Sequence, residues 1–122
     1  MRLRAARGAI RVPSDDGDAL LGSTERLLSA VLQRNGIDPE DLVSIMFTAT
    51  EDLRSAFPAE AARRMGLGRV PLMCAQEIPV HGSMPSIIRI LLHINTDRSQ
   101  REVVHVYLGD AKKLRPDVCS AQ

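Results

Sequence analysis

The sequence predicts an α+β domain built on one five-stranded sheet, with one long and one short helix covering a single face. Three observations predict it. Five apolar stretches have strand length and composition. A single long stretch carries helical spacing. And two of the strands are apolar on both sides, so the second face of the sheet also needs cover. With one helix face to offer, the chain must find that cover in another copy of itself. A homo-oligomer is the consequence, with room for sites at its seams.

Leu3 to Val12 fits the first strand, broken by Gly8, and Ser14-Asp15-Asp16-Gly17 is a turn. Asp18 is placed to cap the long helix. From Ala19 to Asn35, Leu20, Leu21, Leu27, Leu28, Val31 and Leu32 form a helical stripe, ended by Asn35-Gly36. Asp38-Pro39 opens a short helical turn. Leu42 to Thr50 is the second strand, with Val43, Ile45, Phe47 and Ala49 on one face. Phe57-Pro58 leads into a short helix, Ala59 to Met65, stopped by Gly66. Arg69 to Ile78 is the third strand, and after it comes a loop marked by Pro79, Gly82 and Pro85. Ile87 to Asn95 and Glu102 to Leu108 are the two-sided apolar strands, joined by a turn carrying Asp97. A last turn, Asp110 to Lys113, precedes Arg115-Pro116 and a polar tail, expected to be loose from about residue 116. No linker or repeat divides the 122 residues, so they read as one domain.

Composition removes several classes of function. With 16 basic against 15 acidic residues, the net charge of +1 gives no field for nucleic acid or an anionic membrane. Aromatic residues are 2% of the chain, too few for base-stacking platforms. Two cysteines do not make a disulfide framework, and no apolar run is long enough to span a bilayer. The expectation is a cytoplasmic chain with reduced thiols. His81, His93 and His105 lie on separate elements without metal-ligand spacing, although His93 and His105 could be cross-strand neighbours. Cys74 has no surrounding Cys-His signature, and Gly66-Leu67-Gly68 lacks the lysine and helix of a phosphate loop.

What remains is arginine. Lys112 and Lys113 are the only lysines, so nearly every fixed cation is a planar fork suited to carboxylates. Arg89 stands in the middle of an apolar strand, where an unpaired charge is costly. It either forms an ion pair with an acid such as Glu77 or is aimed at an anionic ligand. Arg7 sits beside Gly8, where the backbone can approach a neighbour closely. Tyr107, the sole tyrosine, lies in a two-sided apolar strand and should find a hydrogen-bond partner. Arg63 comes after Glu60 on the short helix, where Glu60 and Arg64 have ordinary pairing geometry, and Arg115 precedes the tail.

Arg7-Gly8-Ala9, Thr50-Glu51-Asp52-Leu53, Phe57-Pro58-Ala59, Gln76-Glu77, Ile88-Arg89, His105-Val106-Tyr107-Leu108 and Leu114-Arg115-Pro116-Asp117 occur together in this order. The set resembles the AroH-type chorismate mutases, over nearly the whole chain. The Asn95-Thr96-Asp97 turn is similar too. The resemblance implies a homotrimer whose mixed sheets pack into a barrel-like core, with a cleft between each pair of subunits. It implies an isomerase that converts chorismate to prephenate by an intramolecular [3,3] shift, in aromatic amino-acid biosynthesis, with no cofactor and no metal.

Carried over by position, Arg89 and Glu77 would be the catalytic pair, with Arg7, Tyr107 and Cys74 lining the cleft and Phe57, Arg63, Leu114 and Arg115 closing it. Arg89 would face the ether oxygen, Glu77 the ring hydroxyl, Arg7 and Tyr107 the side-chain carboxylate, and Arg63 and Arg115 the ring carboxylate. Three positions depart from the family pattern. Glu60 stands where a lysine can sit, Met73 where a threonine often sits, and Gly109-Asp110 replaces Arg-Glu. Two other functions fit parts of this pattern. One is a noncatalytic trimer that binds a carboxylate metabolite. The other is an imine deaminase on a similar trimer, whose own signatures are not visible.

Overall fold

The structure is a computed structural model and describes residues 1–114. Its strands are β1 (Arg2–Arg11), β2 (Leu42–Ala49), β3 (Leu72–Gln76), β4 (Ile87–Thr96) and β5 (Val106–Leu108), and its helices are α1 (Gly17–Arg34) and α2 (Ala59–Arg64). Short 3₁₀ turns lie at Pro39–Asp41, Gln100–Glu102 and Gly109–Leu114. The five strands form one sheet in the order β3-β2-β4-β1-β5. β4 runs antiparallel to both of its neighbours, β1 and β2, while β1–β5 and β2–β3 are parallel. The sheet is therefore mixed, as the resemblance implies.

The stripe on α1 explains its seat. Leu20, Leu21, Leu27, Leu28 and Val31 are buried against Ala6 and Ile10 of β1, Ile45 and Phe47 of β2, and Ile88, Ile90, Leu92 and Ile94 of β4. Period-two alternation sends all of those strand residues to the helix side. β1 is not broken at Gly8. It runs through, and Gly8 leaves the room that α1 and β5 both crowd there. A Cβ there would stand 2.9 Å from the Val106 carbonyl oxygen, 3.0 Å from Leu27 Cδ1 and 3.2 Å from Val31 Cγ2.

Three element boundaries and the facing of one strand residue differ from the expectation. The cap of α1 is Asp16, whose Oδ2 accepts from the Ala19 amide at 3.1 Å, and Asp18 lies inside the first turn. β3 begins at Leu72 rather than Arg69, because Pro71 has no N–H to give and contributes only its carbonyl, to Ile45. β5 begins at Val106 rather than Glu102. Ser99 and Glu102 form a reciprocal capping box over the Gln100–Glu102 turn, and Val104 is claimed by a side chain. The Asn35 amide takes the Val104 N–H at 2.7 Å and donates to the Val104 carbonyl at 2.9 Å. In β2 a bulge between Leu42 and Ser44 turns Val43 outward (39% exposed) and Leu42 inward.

Among the described residues, the opposite face of the sheet is covered only at one end. There Ala9, Ile87, Tyr107 and Ala111 make a small second cluster with Met84 and Leu114. Further along, Ser44, Met46, Met73, Leu91 and His93 line an open groove of about 260 Å³. His93 and His105 are not cross-strand neighbours, since β1 runs between them. His93 meets the Ser44 hydroxyl, and His105 Nδ1 accepts from the Arg7 amide. No helix among the described residues is long and apolar enough to cross a membrane.

Candidate active site

Sheet register brings the chemistry to the uncovered face. Thr48 on β2, Arg89 on β4, Ala9 on β1 and Tyr107 on β5 stand opposite one another in a single row. Arg7 lies two residues before Ala9 and so shares that face, diagonal to Arg89. Glu77 comes directly after β3, its amide bonded to the Ala49 carbonyl at 2.9 Å, and its side chain turns back over the row.

The ion-pair reading of Arg89 holds in part. Arg89 Nε lies 3.1 Å from each carboxylate oxygen of Glu77, so the ion pair exists. It is not a sealed one. The Arg89 side chain is 43% exposed and Glu77 16%. Only Nε is engaged, and the two terminal nitrogens have no partner among the described residues. A pair this open contributes about 0.2–1 kcal/mol to stability, too little to explain an arginine in mid-strand. The Arg7 guanidinium is exposed and likewise unpartnered among the described residues. One unpartnered and one half-engaged guanidinium beside one carboxylate leave net positive charge among these three groups, suited to an anion with more than one negative group.

Tyr107 is buried, 4% exposed, among Ala9, Ile87 and Ala111. Among the described residues its hydroxyl has no hydrogen-bond partner. Leu114 packs against the same cluster. Arg115 and the tail lie outside the described residues.

The other predicted residues are elsewhere on the chain. Cys74 pairs with Phe47 in the β2–β3 register and therefore faces the helix side, away from Arg89. It lines an open groove of about 470 Å³ with Phe57 and Pro58. Phe57 is 74% exposed, unusual for so large an apolar side chain. Arg63, on α2, is held by Glu60 at 3.0 Å, while Arg64 reaches Glu60 only at 3.9 Å. Glu60 thus places a negative charge where a lysine would carry a positive one, and it also occupies Arg63. A single chain brings together Arg7, Glu77, Arg89 and Tyr107, and it holds Phe57, Arg63 and Cys74 apart from them.

One polar residue at the site carries no sequence signal of its own. The Thr48 hydroxyl donates to Glu77 Oε2 at 2.9 Å. A threonine in a strand is ordinary, and only the register opposite Arg89 reveals it. A second arrangement holds the entry to β4. Asp52 accepts from the Ser86 amide at 3.0 Å and its hydroxyl at 2.9 Å, with Ser86 at φ 61°. Burial pushes the Asp52 carboxyl up, but bonds from the Thr50 and Ser86 hydroxyls outweigh it and hold the group below its ordinary value.

An open α+β sheet that presents arginines around one carboxylate defines a class: proteins that bind small anions on a sheet face. Comparison with known proteins makes the assignment specific. The chain belongs to the family described as chorismate mutase type I, whose model matches residues 3–118. It is 53% identical over 121 residues to chorismate mutase AroH of Thermus thermophilus, covering 98% of this chain and 99% of that one. It is 39% identical over 119 residues to chorismate mutase AroH of Bacillus subtilis, covering 97% and 94%. Among solved structures, a chorismate mutase from Clostridium thermocellum superposes with a TM-score of 0.88 at 44% identity, over 89% of this chain and 97% of the other.

Proposed function

We propose that this chain is a cytoplasmic chorismate mutase, that it works as a homotrimer, and that Arg89 and Glu77 carry its chemistry. The observation that carries the reading is the half-engaged Arg89. Nε is tied to Glu77, so the guanidinium is fixed in place, and its terminal N–H groups remain open to a ligand.

Chorismate is a dianion joined through an enolpyruvyl ether. Its rearrangement breaks that C–O bond as a C–C bond forms, within one molecule. No proton moves and no covalent enzyme intermediate is needed. The protein has two tasks: to hold the compact conformer in which the reacting carbons meet, and to stabilise the charge that separates as the ether opens. Arg7 and Tyr107 hold the side-chain carboxylate against the sheet. Arg89 meets the ether oxygen as negative charge grows on it, an interaction stronger in the transition state than in the ground state. Glu77 accepts the ring hydroxyl and lies beside the electron-poor ring.

The separation of the two residue groups supports assembly. Phe57, Arg63 and Cys74 sit on the helix side and beyond the β3 edge, so they complete a cleft only when they come from a neighbouring copy. The uncovered groove around Met46, Leu91 and Met73 gives that neighbour a surface to bury. Leu114 and Arg115 would then close the mouth.

The test is direct. Purified chain added to chorismate should remove its absorbance with saturation kinetics and yield prephenate. Saturable binding without loss of absorbance would instead make this a noncatalytic carboxylate binder.

A further inference from the structure

The two oxygens of the Glu77 carboxylate are not equivalent. Oε2 accepts from the Thr48 hydroxyl at 2.9 Å and from Arg89 Nε at 3.1 Å. Among the described residues Oε1 accepts from Arg89 Nε alone, also at 3.1 Å. Each carboxylate oxygen has two good acceptor directions. Oε2 is therefore filled by the protein, while Oε1 keeps one direction open. We infer that Thr48 is a positioning residue: its hydroxyl fills Oε2 and so presents Oε1 to the ring hydroxyl of the substrate. This rests on the role given to Glu77 above.

The geometry gives Thr48 a second consequence, for Arg89. A free glutamate rotates easily about its last torsion, whose preference is broad and two-fold. An arginine beside it gains by closing into a bidentate pair, with Nε on one oxygen and a terminal nitrogen on the other. That closure would take a terminal N–H away from the ether oxygen. Thr48 stands opposite Arg89 in the β2–β4 register and opposite Ala75, two residues before Glu77, in the β2–β3 register, and its hydroxyl reaches Glu77 Oε2 from there. Its bond holds the carboxylate plane so that Nε lies equally far from both oxygens and the terminal nitrogens stay open. A neutral donor does this without cancelling the negative charge that faces the ring, as a lysine in its place would.

The experiment compares chorismate turnover in Thr48→Val, Thr48→Ser, Glu77→Gln and the Thr48→Val/Glu77→Gln double variant. Each is checked for thermal midpoint and assembly. Valine keeps the shape and the strand preference, so Thr48→Val should stay folded, and Thr48→Ala replaces it if it does not. Loss of a hydrogen bond to a charged group should lower kcat about tenfold to a hundredfold with KM changed much less. Thr48→Ser should return to within about threefold of the parent. In the Glu77→Gln background the valine should cost less than about twofold, because the hydroxyl acts only through the carboxylate. Parent-like turnover in Thr48→Val beside an impaired Glu77→Gln overturns the inference and leaves the role of Glu77 standing. Full additivity in the double variant, or no rescue by serine, also overturns it. Parent-like turnover in Glu77→Gln overturns both.

Discussion

Arg89 Nε stands 3.1 Å from both oxygens of Glu77, and the rest of the guanidinium is left open among the described residues. This relationship is what the proposed role of the pair rests on. A pair that served stability would be closed and withdrawn from solvent. This one is tethered at a single atom and faces the uncovered side of the sheet. The tether restricts the arginine before any ligand arrives, which lowers the ordering that binding and reaction would otherwise require.

The tight packing at Gly8 gives a stability prediction. Gly8 is crossed by α1 on one side and bordered by the Val106 carbonyl on the other, and two of its three contacts for an added Cβ are at 3.0 Å or less. Gly8→Ala should destabilise by about 1–3 kcal/mol, because backbone and helix must shift to admit the methyl group. Thermal unfolding measures it. A midpoint equal to the parent would mean that α1 does not lie against β1 as described.

The Asp52–Ser86 clamp gives a pH prediction. Hydrogen bonds hold the folded Asp52 carboxyl below its ordinary value. Its stabilisation is therefore present above the unfolded pKa of about 3.9 and is lost as pH falls through the lower folded value. Asp52→Asn should be less stable than the parent at neutral pH, and the difference should shrink below about pH 4. Denaturant midpoints measured from neutral to acid pH check this. A gap that widens in acid would contradict the assignment.

Assembly gives a third. Light scattering should report a mass three times the 13.4 kDa chain. Leu91 is central to the uncovered face, so Leu91→Glu should release monomers and lose turnover in the same step, because an unpaired charge cannot be buried there cheaply. An active 13.4 kDa monomer would contradict the shared cleft.

Much of this was legible in the sequence. The α1 stripe, the Asn35-Gly36 stop, the Asp38-Pro39 turn and the two-sided apolar β4 are all set by periodicity and cap chemistry. Arg89 stood out because charge in an apolar strand demands a reason. The departures share another origin: tertiary bonds that no local pattern encodes. Val103-Val104 reads as strand, but the Asn35 side chain, 69 residues before Val104, takes both of its backbone groups. Val43 faces outward because of a bulge, which shifts parity without a marker in the side chains. The placement of Cys74 on the face away from Arg89 depends on the β2–β3 pairing, and the role of Thr48 depends on the register of three strands. Short-range reading finds elements and conspicuous charges, and it misses the ordinary residues that long-range pairing sets beside them.

The most direct measurement of the central claim is the turnover of Arg89→Ala against chorismate, with folding and assembly recorded beside it. The open pair contributes little to stability, about 0.2–1 kcal/mol, so the variant should remain a folded trimer. Its kcat should fall at least about a hundredfold to a thousandfold, the range for one preorganised donor, with KM moved far less. Arg89→Lys, which keeps charge but loses the fork, should recover activity only in part. A variant Arg89→Ala that is unstable or dissociated, while its folded fraction rearranges chorismate at close to the parent rate, would contradict the account and return Arg89 to a structural role.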